Sequence, residues 1–290
     1  LTHRHVIAEA LSQQLEACLV AQNPRGMARV RDALPAGYLY RAAQLLAARQ
    51  GDVLICTGFP VAETFETDGP AGALALYEHC EQLGLRPWLL AGGPLVDALD
   101  GMVRARTLNT FDRDTAEEYA NQLLAEIEPI LVIVIERPGA AADGRYYNIA
   151  GVDITAACRP AEPYIELATC PVIAIGDGGN EIGMAKAGHV LQTLNIRPAV
   201  STCDELIVAD VSNWGAYGLI AMSEFMQGMP VLSWLDPTPL LERLVEVGAV
   251  DGVTHQATPT EDGLPENAGS KIIENMRMIC ADIATRGVSE

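Results

Sequence analysis

The chain has 290 residues, 49% of them apolar, and a formal net charge of -19 at pH 7. That length and apolar content support a full core in one large α/β domain or two modest ones, and exclude general disorder. The acidity argues against nucleic acid and anionic membrane surfaces as partners, since both select basic patches. No apolar run approaches the ~20 residues of a membrane-spanning helix.

Leu1 to Val20 reads as an amphipathic helix, with Ile7, Leu11, Leu15 and Leu19 at four-residue spacing. Glu9 and Glu16 set it apart from a signal peptide. A chain that opens on Leu1 is expected to have its natural start further upstream. Tyr38 to Arg49 is a second apolar-periodic stretch, and Pro24, Gly26 and Pro35-Ala36-Gly37 mark the breaks. Residues 1–50 are therefore expected to form a helical cap on a single domain whose sheet and loops occupy residues 51–290.

From Val53 the pattern becomes strand, loop, helix. Val53-Leu54-Ile55-Cys56 precedes a polar loop and a helix over 71–83, and Pro87-Trp88-Leu89-Leu90 precedes Gly92-Gly93-Pro94 and another helix. A helix over 115–127 leads to the apolar run 130–135. Pro171 to Ile175 and Leu206 to Asp210 are further strands, the second followed by a helix over 214–226. Val231 to Trp234 is read as one more strand, and helices over 237–247 and 266–285 close the chain. Short apolar strands alternating with helices predict an α/β fold: a three-layer sandwich with a mostly parallel open sheet and a helical amino-terminal cap.

The seven cysteines and five histidines are scattered, without Cys-x-x-Cys or zinc-ligand spacing. Free thiols in a reducing compartment follow, and with no targeting segment the expected location is cytoplasmic. Cys56 reads as a small core residue at a strand end. On base rates the chain is expected to form a homodimer.

Polar and glycine-rich segments follow the carboxyl ends of five strands, the edge where open α/β sheets bind ligands. The richest is Gly176-Asp177-Gly178-Gly179-Asn180-Glu181-Ile182-Gly183-Met184. Glycines there permit a sharp turn and close approach to a ligand, and the following helix start offers unpaired N–H groups to an anion. Asp177, Asn180 and Glu181 exceed what turn chemistry requires. Asp68, in Asp68-Gly69-Pro70, is an N-cap or a carboxylate for an ammonium or divalent cation, or a base. Arg137, directly after a strand, suits a bidentate grip on a carboxylate better than Arg145 does. Asn213 fits an N-cap, and Trp214 fits packing. The dinucleotide fingerprint, the P-loop, Gly-x-Ser-x-Gly and His-Glu-x-x-His are all missing, so no nucleotide is predicted.

Thr57-Gly58-Phe59, Glu66-Thr67-Asp68-Gly69-Pro70, Glu136-Arg137-Pro138-Gly139, Asp143-Gly144-x-Tyr146-Tyr147-Asn148, the Gly176–Met184 segment and Val211-Ser212-Asn213-Trp214-Gly215 together resemble the D-glutamate cyclase family. In mammals the similar segment is the carboxy-terminal domain of a mitochondrial enzyme. The resemblance covers about residues 50–265 and departs at Ala185 and Ala216, where the family usually has glycine. It implies a hydro-lyase acting on a small acidic amino acid, turning D-glutamate into 5-oxo-D-proline and water. For that reaction Asp177 or Asp68 is the candidate base, and Glu181 the acid. Gly178, Gly179 and Asn180 are expected to hold a substrate carboxylate oxygen, Arg137 to anchor the α-carboxylate, and Thr57 and Asn213 to bind substrate. Asp68, Asp177 and Glu181 are also a candidate Mg²⁺ or Mn²⁺ set. Two alternatives remain open: another metal- or carboxylate-dependent enzyme of small amino or carboxylic acids, and a non-catalytic protein that binds an acidic metabolite.

Overall fold

A computed structural model describes residues 3–47 and 50–287. Three helices open the chain: α1 (His3–Leu19), α2 (Met27–Ala33) and α3 (Tyr38–Ala47). Residues 1, 2, 48 and 49, which the periodicity adds to the first and third, lie outside the described residues. The repeat at fours is the buried stripe of α1, where Leu11, Leu15 and Leu19 are fully covered.

The α/β part follows as β1 (Asp52–Thr57), β2 (Pro60–Val61), β3 (Thr64–Phe65), α4 (Pro70–Gln82), β4 (Arg86–Gly92), α5 (Gly93–Ala98), β5 (Ala105–Leu108) and α6 (Arg113–Ile127). It continues with β6 (Leu131–Ile135), α7 (Glu162–Glu166), β7 (Val172–Gly176), β8 (Glu205–Val208), α8 (Ser212–Gln227), α9 (Pro237–Glu246) and α10 (Ala268–Gly287). Six strands form one sheet in the order β5-β4-β1-β6-β7-β8, and every pairing in it is parallel. β1, β6 and β7 are buried along their whole length, which is why they read as unbroken apolar runs instead of alternating ones. On one face α4 and α8 pack against each other and the central strands, and the cap helices α1 and α3 pack on α8. α6 packs with α7, and the right-handed crossover from β5 back to β6 puts α6 on the opposite face. One apolar core runs from Ala8 to Ile283, and among the described residues no helix is long and apolar enough to cross a membrane.

The chain works outward from β1 to β4 and β5, then returns to build β6, β7 and β8 on the opposite side. The order therefore reverses between β1 and β6. In such sheets the carboxyl-end crevice at the reversal is the natural binding place.

Three expectations are corrected. Val231 to Trp234 is a tight turn, not a strand: Leu232 has φ 50, its N–H donates to Glu224 Oε2 (2.5 Å), and the Trp234 indole donates to Glu224 Oε1 (2.7 Å). The buried acid ties the segment to α8 before it can reach a sheet edge. After Gly183 the chain makes 3₁₀ turns over Met184–Thr193, kinked at Gly188, instead of an α-helix. β5 and the separate β2–β3 hairpin were not expected, being short and only partly buried.

Small residues let α4 and α8 approach the sheet. A Cβ on Gly72 would stand 2.7 Å from Ile135 Cδ1 and 2.9 Å from both Ala216 Cβ and the Asn213 backbone. Gly72→Ala is expected to cost roughly 1–3 kcal/mol in urea denaturation, whereas Gly93→Ala, which meets nothing within 4 Å, should stay within about 0.5 kcal/mol of the parent.

Candidate active site

Two helix starts meet at the sheet edge and cap each other. Asp68, just before α4, accepts hydrogen bonds from the backbone N–H groups of Ser212 (3.0 Å) and Asn213 (2.7 Å) at the start of α8. Asn213 Oδ1 accepts in turn from the N–H groups of Gly69 (2.8 Å) and Gly72 (2.7 Å) at the start of α4. Helix starts leave N–H groups unpaired, and burial makes each one costly without an acceptor. The Asn213 amide then donates to Thr67 O (3.2 Å) and Glu261 Oε1 (2.9 Å). Asn213 is thus neither the N-cap of its own helix nor open to substrate, and Trp214 packs, with its indole on Glu261.

Asp68, Glu136 and Asp177 each place a carboxylate oxygen within 4.8 Å of the others. All three are buried. Glu136 leaves β6 in a left-handed conformation (φ 41), and its Oε2 accepts from the Ser212 hydroxyl (2.5 Å). Asp177 Oδ2 is buried without a hydrogen-bond partner. Arg25, from the connection between α1 and α2, reaches Asp177 Oδ1 (2.6 Å) and Asp262 Oδ2 (2.8 Å) as an ion pair. Asp210 steadies that connection by accepting from the N–H groups of Gln22 (2.7 Å) and Asn23 (3.0 Å).

A cavity of 150 Å³ opens here, lined by Arg25, Glu66, Glu136, Asp177, Glu181 and Asp262 among others, with Asp68 behind them. Seven non-glycine residues among those described have positive φ, and four of them (Ala62, Glu136, His255 and Asp262) line this cavity. Backbone strain of that kind collects at functional sites. Two larger hollows beside α8 and α10 are mainly apolar and lie away from the carboxylates.

So many acids cannot share a buried space as free anions. Burial, then Asp262 and Glu261, push Asp68 up to about 8 against its backbone hydrogen bonds. Burial, then Glu181 and Asp68, hold Glu136 well above the usual carboxylate range. Glu66 is raised by burial, Asp262 and Asp68. Asp177 is raised by burial and Glu136, with Arg25 opposing. Burial disfavours the charge on Arg25, but Asp177, Asp262, Glu136 and Asp68 outweigh it and raise its pKa.

The structure redistributes the expected site residues. The N–H groups of Asp177 (3.0 Å), Gly178 (2.7 Å) and Gly179 (2.6 Å) all donate to the Glu181 carboxylate. The glycine turn therefore holds an anion, but that anion is the chain's own side chain, so Gly178 and Gly179 are not free for a substrate oxygen. Glu181 is correspondingly replaced by Glu136 in the carboxylate group. Asn180 lines the cavity while its amide donates to Tyr147 O (3.0 Å). Arg137 is directed elsewhere, onto the carbonyls of Gly58 and Arg159 (2.5 Å each), and lines a neighbouring cavity. Thr57 is fully buried beneath Gly69. Glu136 and Glu66 lay in segments already marked by the sequence. Arg25 gave no signal, since it sits in an interhelical break far from its partners in sequence.

The carboxylate group fits a hard divalent cation such as Mg²⁺ or Mn²⁺. Its donors are all oxygens, one is an orphaned buried atom, and their mutual spacing accommodates metal–oxygen distances of about 2.0–2.2 Å. Asp68, Glu136 and Asp177 would hold the ion.

Fold and site together define an α/β protein with a carboxylate-rich centre, whose oxygen donors suit a divalent cation, at the switch point of a parallel sheet. More narrowly, the chain belongs to the "D-glutamate cyclase-like, C-terminal" family, whose profile matches residues 15–277. It is similar to the human protein "D-glutamate cyclase, mitochondrial", with 31% identity over 204 residues. That match covers 61% of this chain and 33% of the human protein, so the chain corresponds to about a third of that relative's length.

The raised carboxyls set a pH dependence. For Asp68 the folded value is about 8 against an ordinary 3.8, so between them the folded protein keeps a proton that the unfolded chain has released. Stability therefore falls as pH rises through that window, and Glu66, Glu136 and Asp177 act in the same direction. In EDTA the urea midpoint should be higher near pH 5 than near pH 8 for this reason, and millimolar Mn²⁺ should raise it more at pH 8, where protons compete less.

Proposed function

We propose that this chain closes D-glutamate to 5-oxo-D-proline and water in the acid-lined cavity. The observation that carries the reading is a set of buried carboxyls of raised pKa facing one guanidinium, within the part of the chain that matches the family. The cavity holds on the order of ten waters, comparable to the heavy-atom content of a small amino acid.

The α-nitrogen must shed two protons and form a bond to the γ-carboxyl carbon, while one oxygen of that carboxylate leaves as water carrying two protons. Carboxyls that differ in proton occupancy can serve both ends of this exchange. The substrate ammonium belongs among Glu66, Asp177 and Asp262, which line the cavity with carboxyl oxygens able to accept its hydrogen bonds. Asp177, with its unpartnered Oδ2, takes the proton that frees the amine. Glu136, held well above the usual carboxylate range by burial, Glu181 and Asp68, delivers a proton to the departing oxygen. Arg25 holds a substrate carboxylate by charge-assisted hydrogen bonds, taking the anchoring part first expected of Arg137. A divalent cation held by Asp68, Glu136 and Asp177 would displace the protons of those carboxyls and would supply polarisation of the γ-carboxylate in place of the Glu136 proton. β2 with Ala62, and Gly252, Val253 and His255, wall the cavity.

The test is appearance of 5-oxoproline from D-glutamate, followed chromatographically with and without Mn²⁺, and with L-glutamate alongside. Asp177→Asn should lower kcat/KM by about 10²-fold or more while circular dichroism stays native, and Arg25→Gln should act mainly by raising KM. Saturable D-glutamate binding without any product would refute the reaction and support a binding protein instead.

A further inference from the structure

A second cavity, of 190 Å³, shares the wall of the first: Phe59, Pro60 and Ala62 line both. Its charge is opposite. Arg137 and Arg159 line it, and among the described residues neither is ion-paired, whereas ten other arginines are. Arg4, Arg29 and Arg197 also lack an ion pair but are exposed to water, whereas Arg137 is buried and Arg159 half-buried, so in a chain of net charge -19 their lack of a carboxylate is notable. The acid on this lining, Glu63, is exposed and forms no ion pair with either.

Arg137 is 4% exposed, and its Nε is buried without a hydrogen-bond partner. Its Nη groups donate to the carbonyls of Gly58 and Arg159, so its charge is hydrogen-bonded but has no carboxylate ion pair, and an anion in the cavity would balance it. The Arg159 guanidinium carbon lies over the Phe111 ring, 4.3 Å from its centroid. A cation held on an aromatic face keeps its N–H donors for an acceptor, because the ring takes up none of them by hydrogen bonding. Phe59, Pro94, Leu95 and Phe111 make much of the remaining wall apolar.

We propose that this cavity is a second ligand site, for a small organic carboxylate with an apolar body. Arg159 grips the carboxylate, the buried charge of Arg137 in the wall adds attraction, and the aromatic and aliphatic wall covers the rest. The site is independent of the reaction assigned to the acid-lined cavity, and its test reads binding, not turnover.

Benzoate and its uncharged analogue benzamide are titrated into the full chain by isothermal calorimetry. Benzoate should bind saturably, with a Kd at or below the millimolar range and at least about tenfold tighter than benzamide. Arg159→Gln should weaken benzoate by about tenfold and leave benzamide unchanged. Leu95→Trp, which fills the cavity, should abolish binding, and Arg25→Gln, in the other cavity, should not alter it. Circular dichroism of each variant establishes that it is folded. No saturation by about 50 mM benzoate would overturn the proposal, and so would binding that survives both Arg159→Gln and Leu95→Trp, or that is lost in Arg25→Gln.

Discussion

Asp68 and Asn213 each cap the helix that the other one's segment begins, and the site is built on that exchange. Removing Asp68 would strand the first N–H groups of α8, and removing Asn213 would do the same to α4. A carboxylate in a low-dielectric interior is expensive unless donors surround it. Here the donors come from helix ends that themselves needed acceptors. One set of bonds therefore locks α4 to α8, fixes both to the sheet edge, and holds a carboxyl next to Glu136 and Asp177.

The same economy recurs at the glycine turn. Three consecutive N–H groups close on Glu181, so the nest carries its own anion and becomes rigid before any ligand arrives. Rigidity there fixes Asp177, whose second oxygen is left without a partner. Arg25 then supplies the positive charge from a different part of the chain. Its approach depends on Asp210, which gathers the α1–α2 connection onto the end of β8. The helical cap thus completes the polar centre as well as covering the core.

Proximity of suitable side chains does not make a site without access. His79 Nε2 lies 2.9 Å from Ser223 Oγ, and Glu224 is 4.0 Å from His79 Nδ1, a grouping that resembles a nucleophile, base and acid. All three are fully buried between α4 and α8, and burial depresses His79 to about 4. The group is a structural joint: Ser223 also receives Gln227, and Glu224 holds the turn at Leu232 and Trp234. The acid-lined cavity differs in being open to a small molecule and in concentrating backbone strain.

Much of this was legible in the residues alone. The unbroken apolar runs at 53–56, 131–135 and 172–175 announced a buried parallel sheet, because strands covered on both faces lose their alternation. The loops at the carboxyl ends of the strands announced the site edge; Asp177 stood out as an acid beyond what turn chemistry requires, while Asp68 read equally as an N-cap or a functional carboxylate. Sequence determined that the strand-end loops would meet at one edge, but not that the α1–α2 connection and residues 252–262 would join them. It could not say which side chains would face the cavity, because that depends on small rotations at the strand ends. Glu136 turns inward through a left-handed residue while the adjacent Arg137 passes to the neighbouring cavity; Glu181 folds back onto its own backbone. Arg25 is the clearest case: a polar residue in an interhelical break has no local pattern to mark it, and its meaning arises only when the tertiary fold brings it 2.6 Å from Asp177. Local propensity and hydrophobic pattern are short-range and survive in the sequence, whereas pairing of buried charges is long-range and was decided only when the cap closed over the sheet.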